Sequence, residues 1–215
     1  MTEHLLIEGH KGDPSLDRLL FFSDGVFAIA ITLLSIELHV PHGWDGTFAM
    51  LLRDSHAMLG AFAISFVVIG VLWNAHRRAF LRMVRFTQGV FVFNLMVLGG
   101  IALMPFATQL LYVRGVTGEP VLIYLSLVSL IGLAQGLIYG YAAFVADAIR
   151  PRQHWIPRLS ATAMQALMPG LCSGLTLLLL GHADAWIILL LVGGLVLLIG
   201  FRVFANQRFG ALSPA

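Results

Sequence analysis

Residues 18–41 read RLLFFSDGVFAIAITLLSIELHVP, an apolar stretch that carries two carboxylates inside it, Asp24 and Glu37. A helix of about 20 mostly apolar residues crosses the ~30 Å hydrocarbon core of a bilayer, so this stretch is long enough to be a membrane span. An ionisable side chain within a membrane span is costly and by default indicates function. The stretch therefore predicts a membrane helix, and we expect the functional residues of the chain on it.

The rest of the chain also has the composition of an integral membrane protein. Of its 215 residues 59% are hydrophobic and only 11% are charged, whereas soluble domains carry roughly 25% charged residues. Five further runs lack Asp, Glu, Lys and Arg altogether, namely residues 57–73, 86–113, 121–146, 159–183 and 185–201. Together with the first helix they predict an all-α membrane protein with six transmembrane helices. The loops are short, so residues 1–215 are predicted to be one transmembrane domain in which residues 1–14 form a cytoplasmic tail.

The basic residues lie mainly on one side of these six predicted spans. Only Arg53 and Arg114 fall on the other side; the remaining 11 of the 13 are Lys11, Arg18, Arg77, Arg78, Arg82, Arg85, Arg150, Arg152, Arg158, Arg202 and Arg208. Because Lys and Arg are enriched in cytoplasmic loops, both termini are predicted to be cytoplasmic and the chain to lie in the cell (inner) membrane. Basic residues interrupted by membrane spans do not indicate a nucleic-acid partner, so the bilayer is the expected surrounding.

Several residues predict local features of the helices. Ser15 is expected to be the N-cap of the first helix and Pro41 to end it, and Pro105 should kink the third helix. The fourth helix carries three glycines at GxxxG spacing, Gly132, Gly136 and Gly140. Such a face permits close helix approach, either within the subunit, which is the favoured interpretation, or between subunits.

Unrolling the first helix at about 100° per residue separates an apolar stripe from Asp24. We call the residues within about 40° of Ile29 the Ile29 stripe; they are Phe22, Gly25, Ile29, Leu33, Ile36 and Val40. Thr32 lies about 60° to one side and Glu37 about 80° to the other, whereas Asp24 faces away. If the stripe lines a pore, Thr32 can offer a hydroxyl to it and Glu37 can lie at its outer mouth. The alternative is that the stripe is simply buried core.

Polar residues of the second and third helices are candidate partners of the first. Trp73 and His76 share a helix face at the predicted depth of Asp24, so a hydrogen-bonded cluster with Asp24 is reasonable. The residue types alone favour an interfacial tryptophan anchor and an interfacial histidine instead. Asn94, Gln109 and Gln135 are expected to hydrogen-bond between helices.

Motifs of soluble and membrane enzymes are missing from the sequence. There is no HExxH, GxSxG, P-loop or GxGxxG, and Cys172 is the only cysteine, which excludes an intrachain disulfide. The chain is therefore predicted not to be an enzyme and to hold no cofactor. A proton-coupled secondary transporter that uses Asp24 as its titrating group remains an alternative to a channel, although no internal repeat supports it.

Three groups of residues resemble the signature of the transmembrane protein 175 family in its short prokaryotic members. The first is Arg18-x-x-x-Phe22-Ser23-Asp24 continued as GVFAIAITLL; the others are Trp73 with His76, and Asn94 followed by LMPF at 103–106. The resemblance covers helices one to three, and helices four to six are similar only in number and hydropathy.

The resemblance implies a potassium-selective cation channel, of weak to moderate selectivity, in which potassium is the permeant ion. It implies a homotetramer with helix one of each subunit around a central pore. The family's hydrophobic constriction maps to Ile29, Leu33 and Ile36, and its selectivity threonine to Thr32. A structural network maps to Arg18, Phe22, Ser23, Asp24, Trp73, His76 and Asn94.

Overall fold

The computed structural model describes residues 13–114 and 118–149, together with Leu159 and Thr162. Within this part the regular elements are helices, apart from an isolated bridge between Met83 and Ile149. They are α1 Pro14–Ile36, α2 Phe48–Phe80, α3 Gln88–Arg114 and α4 Glu119–Gly140, which continues into a π-helical turn, Tyr141–Val145. All four helices are long and apolar enough to cross a membrane. Apart from Leu159 and Thr162, the predicted fifth and sixth spans, and Cys172 with them, lie outside the described residues.

The first helix begins and ends earlier than its apolar pattern indicates. Asp13, and not the predicted Ser15, is the N-cap: its Oδ1 accepts a hydrogen bond from the Ser15 backbone N–H at 2.9 Å. Pro14 follows as the first helical residue, where its missing N–H costs nothing and its fixed φ suits the helix. The helix ends at Ile36 with Glu37 as its C-cap residue, several residues before the predicted end at Pro41.

The second helix is longer than its uncharged run of residues 57–73. It spans 33 residues, or about 50 Å at 1.5 Å per residue, which exceeds the hydrocarbon thickness of a bilayer. Its first turns carry an exposed ion pair between Arg53 and Asp54. These turns are the part of α2 that we place outside the hydrocarbon core.

The third helix is central, because it packs against α1, α2 and α4. It runs through Pro105 to Arg114. Gly100 lets α4 approach closely: a Cβ at this position would lie 2.5 Å from Cγ1 of Ile131. On α4, Gly132 and Gly136 are buried within the subunit, which favours packing within the subunit over a contact between subunits.

The start of α1, the α2–α3 loop and the segment after α4 meet at one end of the helices. Asp13 Oδ2 accepts the Phe86 backbone N–H at 2.6 Å, and the Val84 N–H donates to the Ala148 carbonyl at 2.8 Å. The Arg85 guanidinium donates to the Ala146 carbonyl. Consecutive helices therefore run in opposite directions, as the predicted alternation of loops requires.

Candidate functional site

The two long faces of α1 have different surroundings. The buried residues recur every three or four positions and face the other helices of the subunit; they are Leu16, Leu19, Ser23, Phe27, Ala30 and Leu34. On the Ile29 stripe, by contrast, Ile29 is 60% exposed, Leu33 39% and Ile36 72%. The alternative that the stripe is core of the subunit is therefore wrong. Its bulky side chains are free to face lipid or another copy of the chain.

Two hydroxyl groups lie on the exposed side of α1. The Thr32 hydroxyl donates to the Ile29 carbonyl at 2.8 Å, and one turn later Ser35 donates to the Thr32 carbonyl at 2.7 Å. A hydroxyl has one proton and two lone pairs. Because the proton of Thr32 is bonded to its own helix, its oxygen is left as an acceptor, which is the role that a cation ligand needs.

The Asp24 carboxylate is held by α2. Trp73 Nε1 donates to Asp24 Oδ1 at 2.7 Å, and the Arg77 guanidinium lies over the Trp73 ring at 5.9 Å from its centroid. Asp24 is half-buried on the side of α1 away from the Ile29 stripe. The predicted contact of Asp24 with the end of the second helix is thus present.

A second set of polar contacts joins α1, α2 and α3 beside Asp24. Asn94 Nδ2 donates to Ser23 Oγ at 3.0 Å, and His76 Nε2 lies 2.7 Å from Asn94 Oδ1. Since that amide oxygen can only accept, we assign the His76 proton to Nε2. His76 is 1% exposed, with Phe80 stacked on its ring at 4.4 Å. His76 is therefore a buried, hydrogen-bonded histidine of the subunit interior.

Two residues of the predicted network lie apart from it. Arg18 is exposed and has no ion-pair partner in the part of the chain that the structure describes. Phe22 is 54% exposed and belongs to the Ile29 stripe. The residues that the structure brings together are Ser23, Asp24, Trp73, His76 and Asn94.

Glu37 lies at the other end of α1 and is engaged by α3. Its Oε2 accepts hydrogen bonds from Gln109 Nε2 at 2.9 Å and from the Tyr112 hydroxyl at 3.3 Å. The expectation that Gln109 bonds between helices is confirmed. Tyr112 was not predicted, although its i,i+3 spacing from Gln109 places both side chains on one face of α3.

A further buried cluster has no counterpart in the sequence patterns. Thr108 Oγ1 lies 2.8 Å from Ser65 Oγ and 2.8 Å from the Met104 carbonyl oxygen of its own helix, and Ser65 Oγ lies 3.1 Å from the Tyr124 hydroxyl. One hydroxyl each from α2, α3 and α4 therefore meets in the interior of the subunit. Scattered hydroxyl residues give no periodic signal, so sequence reasoning missed this cluster.

Residues 18–105 match the sequence model of a family described as the endosomal/lysosomal potassium channel TMEM175. This range covers α2 and most of α1 and α3, and it includes every residue of the Asp24 and His76 contacts.

Curated relatives match the same part of the chain. A protein named as a potassium channel from Streptomyces collinus is 38% identical over 96 residues, which are 44% of this chain and 46% of that protein. One from Chamaesiphon minutus, also named as a potassium channel, is 41% identical over 98 residues, 44% of this chain and 48% of its own length. The zebrafish (Danio rerio) relative is named as an endosomal/lysosomal proton channel and is 33% identical, over 47% of this chain and 21% of its own. The chain thus spans about half the length of the bacterial relatives it matches.

A solved structure shares the fold. The crystal structure of a lysosomal potassium-selective channel TMEM175 homolog from Chamaesiphon minutus aligns with a TM-score of 0.66 and 26% identity, over 89% of this chain and 98% of that one. The family and this neighbour are ion channels and not enzymes. The matched sequence, the bacterial relatives and the shared fold together show that this chain is similar to the TMEM175 family of ion channels, as the resemblance predicted.

Proposed function

We propose that this chain is a subunit of a passive, potassium-permeable cation channel whose ion path runs along the Ile29 stripe. The observation that carries the proposal is the exposure of Ile29, Leu33 and Ile36 on α1, the helix whose opposite face is packed inside the subunit. Potassium is proposed as the permeant ion because the bacterial relatives are named as potassium channels. The cell membrane is the proposed location, with the Asp13 end of α1 and both termini cytoplasmic.

In this proposal four copies of the chain surround one axis, each contributing its α1. Rings of Ile29, Leu33 and Ile36 then form a hydrophobic constriction, which can gate by dewetting and requires an ion to shed part of its water. The acceptor oxygen of Thr32 beside the stripe compensates some of this dehydration. One hydroxyl ring provides few ligands, so weak to moderate preference for potassium over sodium is expected.

The residues around Asp24 have a positioning role in this proposal. Trp73 and Asn94 bond Asp24 and Ser23 on the face of α1 opposite to the ion path, and they fix the rotation of the helix about its axis. Arg18 and Phe22, which do not join these contacts within the subunit, are proposed to act where neighbouring subunits meet.

The test is the ratio of potassium to sodium permeability in planar bilayers that contain the purified protein. Thr32→Ala removes the acceptor oxygen and is expected to change this ratio, and Ile29→Ala widens the constriction and is expected to raise the unitary conductance. Ser35→Ala is the matched control, because Ser35 makes the same backbone bond but lies about 120° from Ile29. If Thr32→Ala and Ile29→Ala both conduct like the wild type, the stripe does not line the path.

A proton-coupled transporter that uses Asp24 is the second candidate function, and the vertebrate relatives named as proton channels favour a test for protons. Unitary current steps under a potassium gradient would exclude a transporter. A reversal potential that follows the pH gradient and not the potassium gradient would instead assign protons as the permeant ion.

A further inference from the structure

The end of α1 remote from Asp13 is fixed to α3 by a single carboxylate. Glu37 is the C-cap residue of α1, and its Oε2 accepts both the Gln109 amide proton and the Tyr112 hydroxyl proton, at 2.9 and 3.3 Å. We call Glu37, Gln109 and Tyr112 the Glu37 cluster. Hydrogen bonds to a charged acceptor are roughly twice as strong as neutral ones. This contact is therefore a strong connection between α1 and α3.

The Glu37 cluster lies next to the most exposed part of the Ile29 stripe. Ile36 precedes Glu37 directly, and Leu33 lies one turn before it. Toward the Asp13 end, α1 is fixed by the Trp73–Asp24 and Asn94–Ser23 bonds, which are more than two turns away from Ile36. Since Ile36 itself is 72% exposed and contacts little of its own subunit, its position depends on what holds Glu37.

We propose that the Glu37 cluster is a positioning device, which sets the rotation of the outer end of α1 and thereby places Leu33 and Ile36 in the ion path. The proposal rests on the proposed channel function and changes the predicted role of Glu37, from a charge at the pore mouth to a bond that orients the helix. Glu37 then acts through Leu33 and Ile36 and does not itself touch the permeant ion.

The surroundings of Glu37 suit an orienting bond. The donors come from two residues one turn apart on α3, so they restrain both the rotation and the tilt of α1 relative to α3. The chain beyond Glu37 folds back on the cluster, because His39 Nδ1 lies 3.0 Å from the Glu37 carbonyl and the His39 ring lies 6.4 Å from the Tyr112 ring. The carboxylate is half-buried, on the flank of α1 that faces α3.

The test is a reciprocal exchange of the two partners in the full-length protein in bilayers. Glu37→Gln keeps the shape but weakens the acceptor, and Gln109→Glu opposes two carboxylates. Each single variant is expected to change the potassium-to-sodium permeability ratio by about twofold or more, the effect of a coupling between residues in contact. The double variant E37Q/Q109E places an amide donor opposite a carboxylate again and is expected to return the ratio to the wild-type value.

Thr108→Val is the matched control. It removes a hydroxyl next to Gln109 in sequence, but that hydroxyl bonds Ser65 of α2 and not α1. The variant is expected to lower the unfolding temperature without changing the permeability ratio. If Glu37→Gln and Gln109→Glu also lower the unfolding temperature without changing the permeability ratio, the Glu37 cluster contributes only to stability, and the proposal is wrong. If the single variants change the permeability ratio and the double variant does not restore it, Glu37 acts directly at the pore mouth. This result also overturns the proposal.

Amide hydrogen exchange of residues 33–38 gives a readout that does not depend on conduction. The single variants are expected to speed exchange in this last turn of α1, and the double variant to slow it again, whereas Thr108→Val leaves it unchanged. If the wild-type protein carries no potassium current, the channel function fails, while these exchange rates still decide whether the Glu37 cluster holds α1. Unchanged exchange in both single variants would contradict the cluster even in a conducting protein.

Discussion

The Asp24 carboxylate accepts the Trp73 indole proton at 2.7 Å, on the side of α1 away from the Ile29 stripe. Asp24→Asn keeps an acceptor oxygen but removes its charge, whereas Trp73→Phe leaves the half-buried carboxylate without its donor. We therefore expect both variants to lower thermal stability, Trp73→Phe more, by about 1–3 kcal/mol. Thermal unfolding and size-exclusion chromatography in detergent measure stability and assembly.

Permeation separates this positioning role from a role in conduction. The assembled fraction of Asp24→Asn is expected to keep the wild-type potassium-to-sodium permeability ratio. Asn74→Ala is a suitable control, because Asn74 is exposed beside Trp73 and its side chain makes none of the Asp24 or His76 contacts. Stable, normally assembled Asp24→Asn channels with altered selectivity would place Asp24 in the ion path.

Asp13 is expected to make the stability of the folded chain depend on pH, with less stability at acidic pH. Hydrogen bonds from the Phe86 N–H, the largest cause, and from the Ser15 N–H hold the pKa of Asp13 below its ordinary value of 3.8. A carboxyl with a lowered pKa stabilises the folded state above its ordinary pKa, and the stabilisation is lost as the pH falls through the lowered one. We expect Asp13→Asn to lower the unfolding temperature at pH 7 and this difference to shrink below about pH 4.

Asp17→Asn is the control for Asp13, since Asp17 is an exposed acidic residue in the first turn of the same helix. It should leave the unfolding temperature nearly unchanged at both pH values. A destabilisation by Asp13→Asn that stays constant from pH 7 to pH 3 would show that the carboxylate charge plays no part.

At the scale of single residues, the sequence predicted partners where a distinctive motif exists. Helical unrolling turned Asp24 away from the Ile29 stripe. Ser23, Asp24, Trp73 and His76 of the family signature indicated the contacts around Asp24 and Asn94. Arg18 and Phe22 of the same signature do not join these contacts within the subunit. The Glu37–Gln109 bond could not be predicted in the same way. Periodicity gives the direction of each side chain around its own helix, but a bond between helices also depends on their relative rotation and height.

At the scale of helices, two adjacent glycines of α3 have opposite surroundings. A Cβ at Gly100 would lie 2.5 Å from Ile131 Cγ1, whereas a Cβ at Gly99 would meet nothing within 4 Å. We expect Gly100→Ala to destabilise the α3–α4 contact by about 1–3 kcal/mol, as overpacking does. Gly99→Ala should be neutral or stabilise by up to about 1 kcal/mol, because alanine is the better helix former.

Thermal unfolding of both variants checks this pair, and a second substitution identifies the cause. Ile131→Ala removes the clashing Cγ1, so it is expected to recover part of the stability that Gly100→Ala loses. Equal stabilities of the Gly99→Ala and Gly100→Ala variants would mean that α3 and α4 are farther apart than described.

One close approach of helices occurs at a place that the sequence did not single out. The sequence predicted close approach at the three-glycine repeat of α4, and Gly132 and Gly136 of this repeat are buried. Gly100 lies in α3, outside any GxxxG repeat. A side chain at this position would clash with Ile131 on the facing helix. The ends of α2 could not be predicted from its apolar run either. Residues 57–73 mark only the part of α2 that is apolar enough for lipid, and the helix continues beyond both ends of this run.

At the scale of the whole molecule, the arginines at the end of α2 and in the α2–α3 loop share one end of the described helices with the start of α1 and the segment after α4, and the cytoplasmic orientation of this end stays a prediction. Arg77, Arg78, Arg82 and Arg85 lie at the end where Asp13 bonds Phe86 and where the segment after α4 contacts the α2–α3 loop. Composition was sufficient to predict the four membrane-length helices of the described residues, because an apolar composition responds to the bilayer and not to specific contacts. The number of subunits could not be predicted in this way. Composition and charge describe a single chain, and they do not show which face of it binds a second copy.

The proposed assembly predicts that the Ile29 stripes of neighbouring subunits approach one another. In a background that lacks the native cysteine, Cys172→Ala, we expect Ile36→Cys to form disulfide-linked dimers on mild oxidation in membranes, because a disulfide needs Cα atoms within about 7 Å. Leu130→Cys is the control: Leu130 is 58% exposed but lies on α4, away from the proposed axis, and should stay monomeric. Non-reducing gel electrophoresis separates the products. If Ile36→Cys stays monomeric and reacts with a lipid-soluble maleimide as readily as Leu130→Cys, the stripe faces lipid, and the ion path must lie elsewhere.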